Sequence, residues 1–263
     1  MITAVRVELL KLRTVRLGYG LLAIPAGLTI VFSILEASRA GTRSGGVAPL
    51  NTASGLDSVI TGGVWFLIFA AVLGVTVSSG EFRHQTATAT YLATPRRGRV
   101  LAAKALAAAL GGAAFGVAGY LIALGIGLGF VAAKGYPVPI GDATLARYGA
   151  GHVLAAALLA AAGAGIGALV RSQLAGVIGV FVWTIIVESV LGGLFTSARP
   201  YLPYTAATAL AGAPLGGGAF GPAHGASGAA GPLPFAAAAA LLAALAAALC
   251  AAAARTTVRR DVA

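Results

Sequence analysis

The side chains with obvious chemistry are few in this chain of 263 residues, which contains one cysteine, three histidines and seven acidic residues. A single cysteine, Cys250, excludes an intramolecular disulfide and a cysteine metal site. The sequence also has no Gly-x-x-x-x-Gly-Lys-Ser/Thr loop, the pattern that holds the phosphates of a nucleotide. We therefore expect this chain to be no enzyme by itself, with no catalytic residue, metal or cofactor of its own.

Glu188 is the acidic residue whose position is most informative. It lies inside an apolar segment long enough to cross a membrane, where a carboxylate is costly and commonly has a function. We expect it to line a dimer interface or to stabilise an outer gate, with Tyr201 and Pro203 as further candidates for a gate or pathway. The alternative is that Glu188 lies close enough to the outer boundary to reach water.

The three histidines do not form a catalytic group in the sequence. We expect His152 at the outer membrane interface, His84 in a contact between subunits and His224 in an outside loop. The string around Ser227, Gly-Ala-Ser-Gly, matches the motif of intramembrane serine proteases, but such a serine needs a histidine base from a later helix. No histidine follows His224, so a protease is not favoured.

The elements that position these residues are predicted to lie in a bilayer. Hydrophobic residues make up 59% of the chain and charged residues only 10%, whereas about a quarter of a soluble domain is charged. A span needs roughly 20 mainly apolar residues. Six segments meet this requirement: 17–35, 60–78, 105–133, 148–170, 174–197 and 235–254. The prediction is one all-α transmembrane domain over residues 1–263, with a third span that tilts or begins in the interface because it is long.

The distribution of basic residues predicts the orientation. Thirteen of the 18 lysines and arginines fall in the flanks 1–16, 79–104, 171–173 and 255–263. Since the more basic side of a membrane protein is normally cytoplasmic, both termini are expected in the cytoplasm and the protein in the cell membrane. The net charge of +11 is then mostly a topology signal, which removes most of the case for nucleic-acid binding.

The connections between the predicted spans also carry information. We expect 36–59 to be a polar outside loop, and 198–234, with six of the eleven prolines, to be the longest outside segment, with re-entry of 198–211 into the membrane left open. Residues 3–16 are predicted to form an amphipathic helix on the inner leaflet, the alternative being a plain basic flank. Glycine pairs at four-residue spacing could form close-packing faces. These pairs are Gly112/Gly116, Gly125/Gly129 and Gly163/Gly167.

The segment 80–104 is the most informative connection. Its residues from Glu81 to Ala93 are predicted to form a short helix with Glu81 near the positive N-terminal end. Pro95 ends this helix, because the residue before a proline avoids the helical region. A basic tail that includes Arg99 then lies at the inner leaflet.

The order of residues in this segment resembles the cytoplasmic loop of the type-2 permease family of ATP-binding-cassette (ABC) exporters. That loop has an acidic residue, an aromatic residue, Arg-His, a threonine-containing helix, Thr-Pro-Arg-Arg and a leucine–alanine–lysine entry to the third helix. The matching residues are Glu81, Phe82, Arg83, His84, Thr86, Leu92, Ala93, Thr94, Pro95, Arg96, Arg97 and Lys104. Thr88 is expected to belong to the same coupling loop. The stretch from Glu8 to Thr14 resembles the family's N-terminal interface helix, and Glu188 with Tyr201-Leu202-Pro203 resembles its outer region.

The resemblance implies a function. The loop between helices two and three would be a coupling helix that docks on a separate ATPase subunit, which binds ATP and magnesium. Two permease copies would pair, as a homodimer or with a sister permease, and export a hydrophobic small molecule, an antibiotic or a lipid-like substrate. The alternatives are a non-transporting six-helix assembly or immunity factor, and an ion-coupled secondary transporter. The last class usually has several ionisable groups near the midplane, where we find only Glu188.

Overall fold

The computed structural model describes residues 2–14, 17–42, 47–83, 97–213 and 231–256. Within them the chain is helical and has no strand, and six helices are long and apolar enough to cross a membrane. The all-α, six-span prediction is therefore confirmed, and the protein is a multi-pass membrane protein. The α-helices are α1 (Ile2–Thr14), α2 (Leu17–Arg39), α3 (Ala53–Ile60), α4 (Trp65–Arg83), α5 (Arg97–Ala133), α6 (Asp142–Val170), α7 (Gln173–Phe181), α8 (Glu188–Leu194), α9 (Pro203–Leu210) and α10 (Phe235–Arg255).

The second span forms the centre of the bundle. It combines α3, a 3₁₀ turn at Thr61–Val64 and most of α4, and 94% of its most apolar stretch is buried by other helices. The corresponding share is 22% for the fifth span and 17% for the sixth. The fifth and sixth spans therefore present most of their apolar surface outward, as helices in contact with lipid do.

Glycines allow the central helices to approach closely. A Cβ atom added to Gly74 would overlap the Ala160 carbonyl oxygen, and one added to Gly163 would overlap that of Ala71. Close contact of backbones is the usual way to pack helices in lipid, where the hydrophobic effect gives little attraction between them. The pairs Gly112/Gly116 and Gly163/Gly167 lie in such contacts, whereas Gly125/Gly129 face open space.

The connection predicted as a polar outside loop, 36–59, is partly helical. The first span continues to Arg39, and α3 begins at Ala53, where Thr52 Oγ1 accepts a hydrogen bond from Gly55 N (3.3 Å). Leu56, Val59 and Ile60 are completely buried. The segment 36–59 is therefore not a loop throughout, because Leu56, Val59 and Ile60 follow the capping threonine at helical spacing. Its placement on the outside stays a prediction.

Of the segment between the second and third spans, the structure describes only the two ends. Glu81, Phe82 and Arg83 form the last turn of α4, so no separate helix begins at Glu81. The reason is that nothing in the preceding Ser-Ser-Gly sequence ends the helix. The third helix begins at Arg97, eight residues before the predicted span, and runs without a break to Ala133. Residues 84–96 lie outside the described residues.

The N-terminal segment is a helix, α1, that packs against α5. In this helix Val5 and Leu9 are half-buried, while Val7 and Leu10 are exposed. Among residues 5–11 of this helix, the most buried side chain is a charged one, that of Glu8. Its position on the membrane surface stays a prediction.

Candidate functional site

Two groups of polar contacts lie at opposite ends of the central helix. Tyr204 Oη donates a hydrogen bond to the Val64 carbonyl (3.2 Å), just before α4 begins, and Lys104 Nζ donates one to the Val77 carbonyl (3.3 Å), near its end. At 1.5 Å per residue these carbonyls are about 20 Å apart along the helix. We call the end at Val64 the capped end and the end at Val77 the basic end.

At the capped end, an irregular turn determines the direction of Glu188. The fifth span is α-helical to Phe181, continues as a π-helical turn from Val182 to Val187, and becomes α-helical again at Glu188. A π turn accommodates an extra residue, and one residue corresponds to a rotation of about 100° around a helix axis. The wide turn therefore changes the face on which Glu188 lies relative to α7.

Four donors satisfy the carboxylate of Glu188, which is only 5% exposed. Its Oε1 accepts hydrogen bonds from Tyr204 N (2.7 Å) and Trp183 Nε1 (3.1 Å). Its Oε2 accepts them from Thr205 N (3.0 Å) and Thr205 Oγ1 (3.2 Å). A carboxylate so enclosed does not reach water, so the alternative given above for Glu188 is wrong.

The carboxylate of Glu188 holds the first turn of α9. The first backbone N–H groups of a helix have no partner within it, and a negative charge there is favourable. Pro203 occupies the first helical position, where its missing N–H costs nothing. Glu188 then accepts from the next two N–H groups, those of Tyr204 and Thr205. Together they start a short helix that folds back against α4, α6 and α10.

Tyr204 fixes the same helix to the centre of the bundle. Its side chain is buried, and its hydroxyl donates to the Val64 carbonyl. Burial and the neighbouring Glu188 carboxylate raise the pKa of the Tyr204 phenol, so the hydroxyl stays protonated and remains a donor. Of the other predicted gate residues, Pro203 begins α9, while Tyr201 is exposed and lies in the 3₁₀ turn before it.

We expected His152 at the outer membrane interface, but its side chain is completely buried within the protein. Its Nδ1 is 2.9 Å from the Tyr148 carbonyl oxygen, and its ring lies 5.4 Å from that of Tyr120. The prediction failed because α6 begins at Asp142 rather than at Tyr148, which moves His152 nearly three turns into the helix.

At the basic end, an ion pair joins α1 to α5. Lys104 Nζ lies 3.1 Å from Glu8 Oε2, and these residues are 4% and 7% exposed. The other oxygen, Glu8 Oε1, lies 2.8 Å from Nζ of Lys11, whose side chain is 47% exposed. Both Glu8 and Lys104 belong to stretches singled out in the sequence, but their pairing was not predicted. The sequence feature that could have indicated this pairing is that Glu8 is the only acidic residue before Glu36.

The predicted coupling residues are only partly described. Glu81, Phe82 and Arg83 end α4, and Arg97 begins α5. The remaining predicted residues lie outside the described residues: His84, Thr86, Thr88, Pro95 and Arg96. Among the described residues there is no group of three or more histidine, cysteine or acidic side chains placed to hold a metal ion.

Comparison with known proteins gives no independent identification, because no protein-family model and no curated protein matches the chain. The two ends nevertheless differ in what they can do. The capped end is a network of hydrogen bonds that fixes a short helix. The basic end joins an exposed N-terminal helix to the two helices on either side of 84–96.

Proposed function

We propose that this chain is the membrane-spanning permease subunit of an ATP-driven ABC exporter. The observation that carries the proposal is the residue order of the segment from Glu81 to Lys104, which resembles the ATPase-coupling loop of the type-2 permease family. In that family the loop joins helices two and three. The position of the segment supports the proposal, since it follows the last turn of the second span and leads into the third.

The proposed partners follow from what the chain lacks and from its topology. A separate ATPase subunit supplies ATP binding, magnesium and hydrolysis, because this sequence has no phosphate loop. A second permease copy, identical or a sister chain, completes the transporter. Both termini and the segment 80–104 lie on the cytoplasmic side of the cell membrane, in accord with the excess of lysine and arginine in those flanks. The substrate is a hydrophobic small molecule, an antibiotic or a lipid-like compound.

The capped end acts as the outer gate in this proposal. Glu188 holds α9, and Pro203 lets that helix begin directly after the exposed 3₁₀ turn that contains Tyr201. A carboxylate with four protein donors is suited to fixing a structural element. It is poorly suited to carrying a coupling ion, for which an ion-coupled transporter needs accessible ionisable groups.

Co-purification tests the proposal. The chain is expressed with the ATPase encoded beside its own gene, extracted from membranes through a tag on the chain, and assayed for bound ATPase and for hydrolysis. Glu81→Ala and Arg83→Ala are the test variants, because both residues belong to the resembling order and end α4. Arg99→Ala is the matched control, since Arg99 is an exposed arginine of α5 outside that order.

We expect the wild type and Arg99→Ala to retain the ATPase, and Glu81→Ala and Arg83→Ala to lose at least about tenfold of it. A tenfold loss corresponds to about 1.4 kcal/mol of binding free energy, a typical effect of one charged contact at the centre of an interface. If the wild type binds no ATPase, the exporter proposal is wrong and a non-transporting membrane factor becomes the better interpretation. If the two test variants bind as the control does, the segment is not the coupling surface.

A further inference from the structure

The buried apolar side chains of the described residues form two main cores that meet at the capped end of the central helix. The first core surrounds α4 and starts at Val64. The second lies beyond the capped end, away from the basic end, and is formed by the end of α2, residues 47–60, the end of α5 and the start of α6. We call these four segments the distal body. Its buried side chains include Leu50, Leu56, Val59, Ile60, Val131 and Ile140.

A polar layer separates the two cores at the 3₁₀ turn Thr61–Val64, inside the second span. Two completely buried side chains of α2 donate to the backbone at this level. Ser33 Oγ donates to the Val59 carbonyl (3.0 Å), and Thr29 Oγ1 donates to the Gly62 carbonyl (3.1 Å). A 3₁₀ stretch in the middle of a helix often marks a hinge. Here the hydroxyl groups of another helix hold the backbone at the turn and just before it.

The opposite side of the turn packs against α5 and α6. A Cβ atom added to Gly63 would lie 2.8 Å from the Gly119 carbonyl oxygen and 3.0 Å from His152 Nε2. The ring donates from Nδ1 to the Tyr148 carbonyl of its own helix, because a carbonyl oxygen can only accept. Its Nε2 has no hydrogen-bond partner among the residues that the structure describes. His152 therefore fills the space beside the turn without fixing the turn in place.

The hydrogen bonds of the polar layer can be exchanged at little cost. A serine or threonine hydroxyl within a helix can also donate to the carbonyl four residues earlier in its own helix. Ser33 thus has the Thr29 carbonyl as an alternative acceptor, and Thr29 has that of Pro25. The interlocked side chains of an apolar core have no comparable alternative. Movement is therefore easier at the polar layer than within either core.

The size of such a movement is limited by the helices that cross the layer. The second span is interrupted there by its 3₁₀ turn, and α2 contains Pro25, a residue type that kinks helices. In contrast, α5 and α6 pass through the layer unbroken, so the distal body can tilt but cannot separate. The part of α5 from Gly119 to Ala133 is about 21 Å long, and a tilt of about 10° moves its end by about 4 Å.

We propose that the polar layer is a hinge on which the distal body tilts relative to the inner bundle, and that Tyr204 passes this movement to α9. Tyr204 Oη donates to the carbonyl of Val64, the last residue of the turn (3.2 Å). The hinge goes beyond the proposed function and does not depend on an ATPase. Its use in moving an outer gate rests on the exporter proposal, because only that proposal makes α9 a gate.

Distances between spin labels test the hinge in the full-length chain in lipid nanodiscs. Cys250 is the only cysteine, so Cys250→Ala gives a background for labelled pairs. One pair crosses the layer, from Val138 of the distal body to Ala244 of α10. A second pair, Val138 and Ser54, lies within the distal body, and a third, Leu110 and Ala244, lies within the inner bundle. All four positions are exposed.

Ser33→Ala is the test variant, because it removes one of the hydroxyl groups that hold the turn. We expect the distance distribution across the layer to widen or shift by about the 4 Å of the tilt, while the two pairs within the bodies keep their wild-type distances. The matched control is Ser38→Ala on the same helix, since the Ser38 hydroxyl donates to the Leu35 carbonyl of α2 itself. It is expected to leave all three distances unchanged.

A second variant acts in the opposite direction. A Cβ atom at Gly62 would overlap Ser33 Oγ but would lie 3.3 Å from Ser33 Cβ. In Ser33→Ala/Gly62→Ala the new methyl group therefore occupies the space of the lost hydroxyl and replaces a flexible glycine of the turn. We expect the distribution across the layer to become narrower than in Ser33→Ala. An equally wide distribution would show that the turn is not the flexible element.

The link to α9 is measured by hydrogen–deuterium exchange of the peptide 203–210. Ser33→Ala is expected to accelerate its exchange about threefold, and to add nothing once Tyr204→Phe has removed the contact with Val64, because two changes that act through one contact are not additive. Additive effects would overturn the link and leave the hinge standing.

The remaining outcomes concern the hinge alone. Unchanged distances across the layer in Ser33→Ala overturn it, and so does an equal change in Ser38→Ala. Changes within the distal body or within the inner bundle would indicate general loosening instead of a hinge. None of these results bears on whether the chain binds an ATPase, so the hinge and the exporter proposal fail independently.

Discussion

Two glutamates are buried in the part of the chain that the structure describes, Glu188 at the capped end and Glu8 at the basic end, and they are satisfied in different ways. Glu188 is surrounded by neutral donors, two of them backbone N–H groups of one short helix. Glu8 is paired with two lysines, one on another helix and one on its own. The difference teaches that a buried carboxylate can organise a fold either by capping or by charge pairing. The two modes predict different responses to the same substitution.

The largest effect is expected when Glu188 is replaced by glutamine. In Glu188→Gln the new amide group turns a donor towards groups that are themselves donors, and at least one buried N–H loses its partner. An unsatisfied buried group costs about 1–3 kcal/mol, so we expect a loss of about 3 kcal/mol in stability and rapid exchange of the peptide 203–210. Thermal unfolding of the purified protein measures the loss of stability.

Glu8→Gln is the counterpart, and we expect it to lower the unfolding midpoint much less. Its amide oxygen still accepts from a lysine, and α1 can separate and expose the lysine to water without disturbing the spans. The contrast between the two ends would be lost if both variants lowered the midpoint equally.

The next effect concerns the packed centre that joins the two ends. Gly163→Ala places a Cβ atom against the Ala71 carbonyl, which as backbone of α4 cannot move aside alone. Overpacking costs about 1–3 kcal/mol, and we expect a loss of about 2 kcal/mol in thermal unfolding. The control is Gly129→Ala, whose Cβ meets nothing within 4 Å. It should be neutral or slightly stabilising, because alanine favours a helix by up to about 1 kcal/mol over glycine.

A smaller effect is expected for the link from α9 to the central helix. Tyr204→Phe removes the hydrogen bond to the Val64 carbonyl and leaves the ring in place. The expected loss is about 1 kcal/mol, and exchange of 203–210 should accelerate without detachment of the whole helix. Tyr201→Phe is the control, since Tyr201 is exposed, and it should behave as wild type. An equal effect in both variants would show that the hydroxyl of Tyr204 contributes nothing specific.

The smallest effects are expected at one helix cap from each end. Thr52 Oγ1 accepts from Gly55 N at the start of α3, and Ser172 Oγ accepts from Ala175 N (3.4 Å) at the start of α7. Replacing a cap of this kind by alanine costs typically about 1 kcal/mol, and less where the bond is long. We expect Thr52→Ala and Ser172→Ala each to lower stability by about 0.5–1 kcal/mol. Unlike the glutamates, the two caps should respond alike, and unequal losses in thermal unfolding would contradict this.

Much of the fold could be predicted because it depends on local composition. The six spans follow from the length of apolar runs, since a bilayer requires about 20 such residues in a row. The close packing of the pair Gly163/Gly167 was also visible as a pattern. The pair Gly125/Gly129 has the same spacing and packs against nothing, so spacing alone does not tell which face of a helix meets another.

The partners of the site residues could not be predicted, because they come from distant parts of the chain. Glu188 was recognised as a carboxylate within a span, but its donors depend on the π turn before it and on the return of α9. His152 was misplaced by a helix start predicted six residues too late. The contact between Glu8 and Lys104 joins residues that are 96 positions apart in the sequence. The prediction that Glu81 to Arg97 meets an ATPase stays a prediction.

The burial of α4 has a consequence for how the protein is made. This helix belongs to the second span to be synthesised, yet three of the helices that pack against it, α5, α6 and α7, come later in the chain. During biosynthesis α4 must therefore rest against lipid before its final neighbours arrive, and its apolar surface makes this possible. Until α5 and α6 are in place, the glycines that will pack against their backbones leave shallow grooves. The helix at the centre of the bundle is thus made before several of the helices that will enclose it.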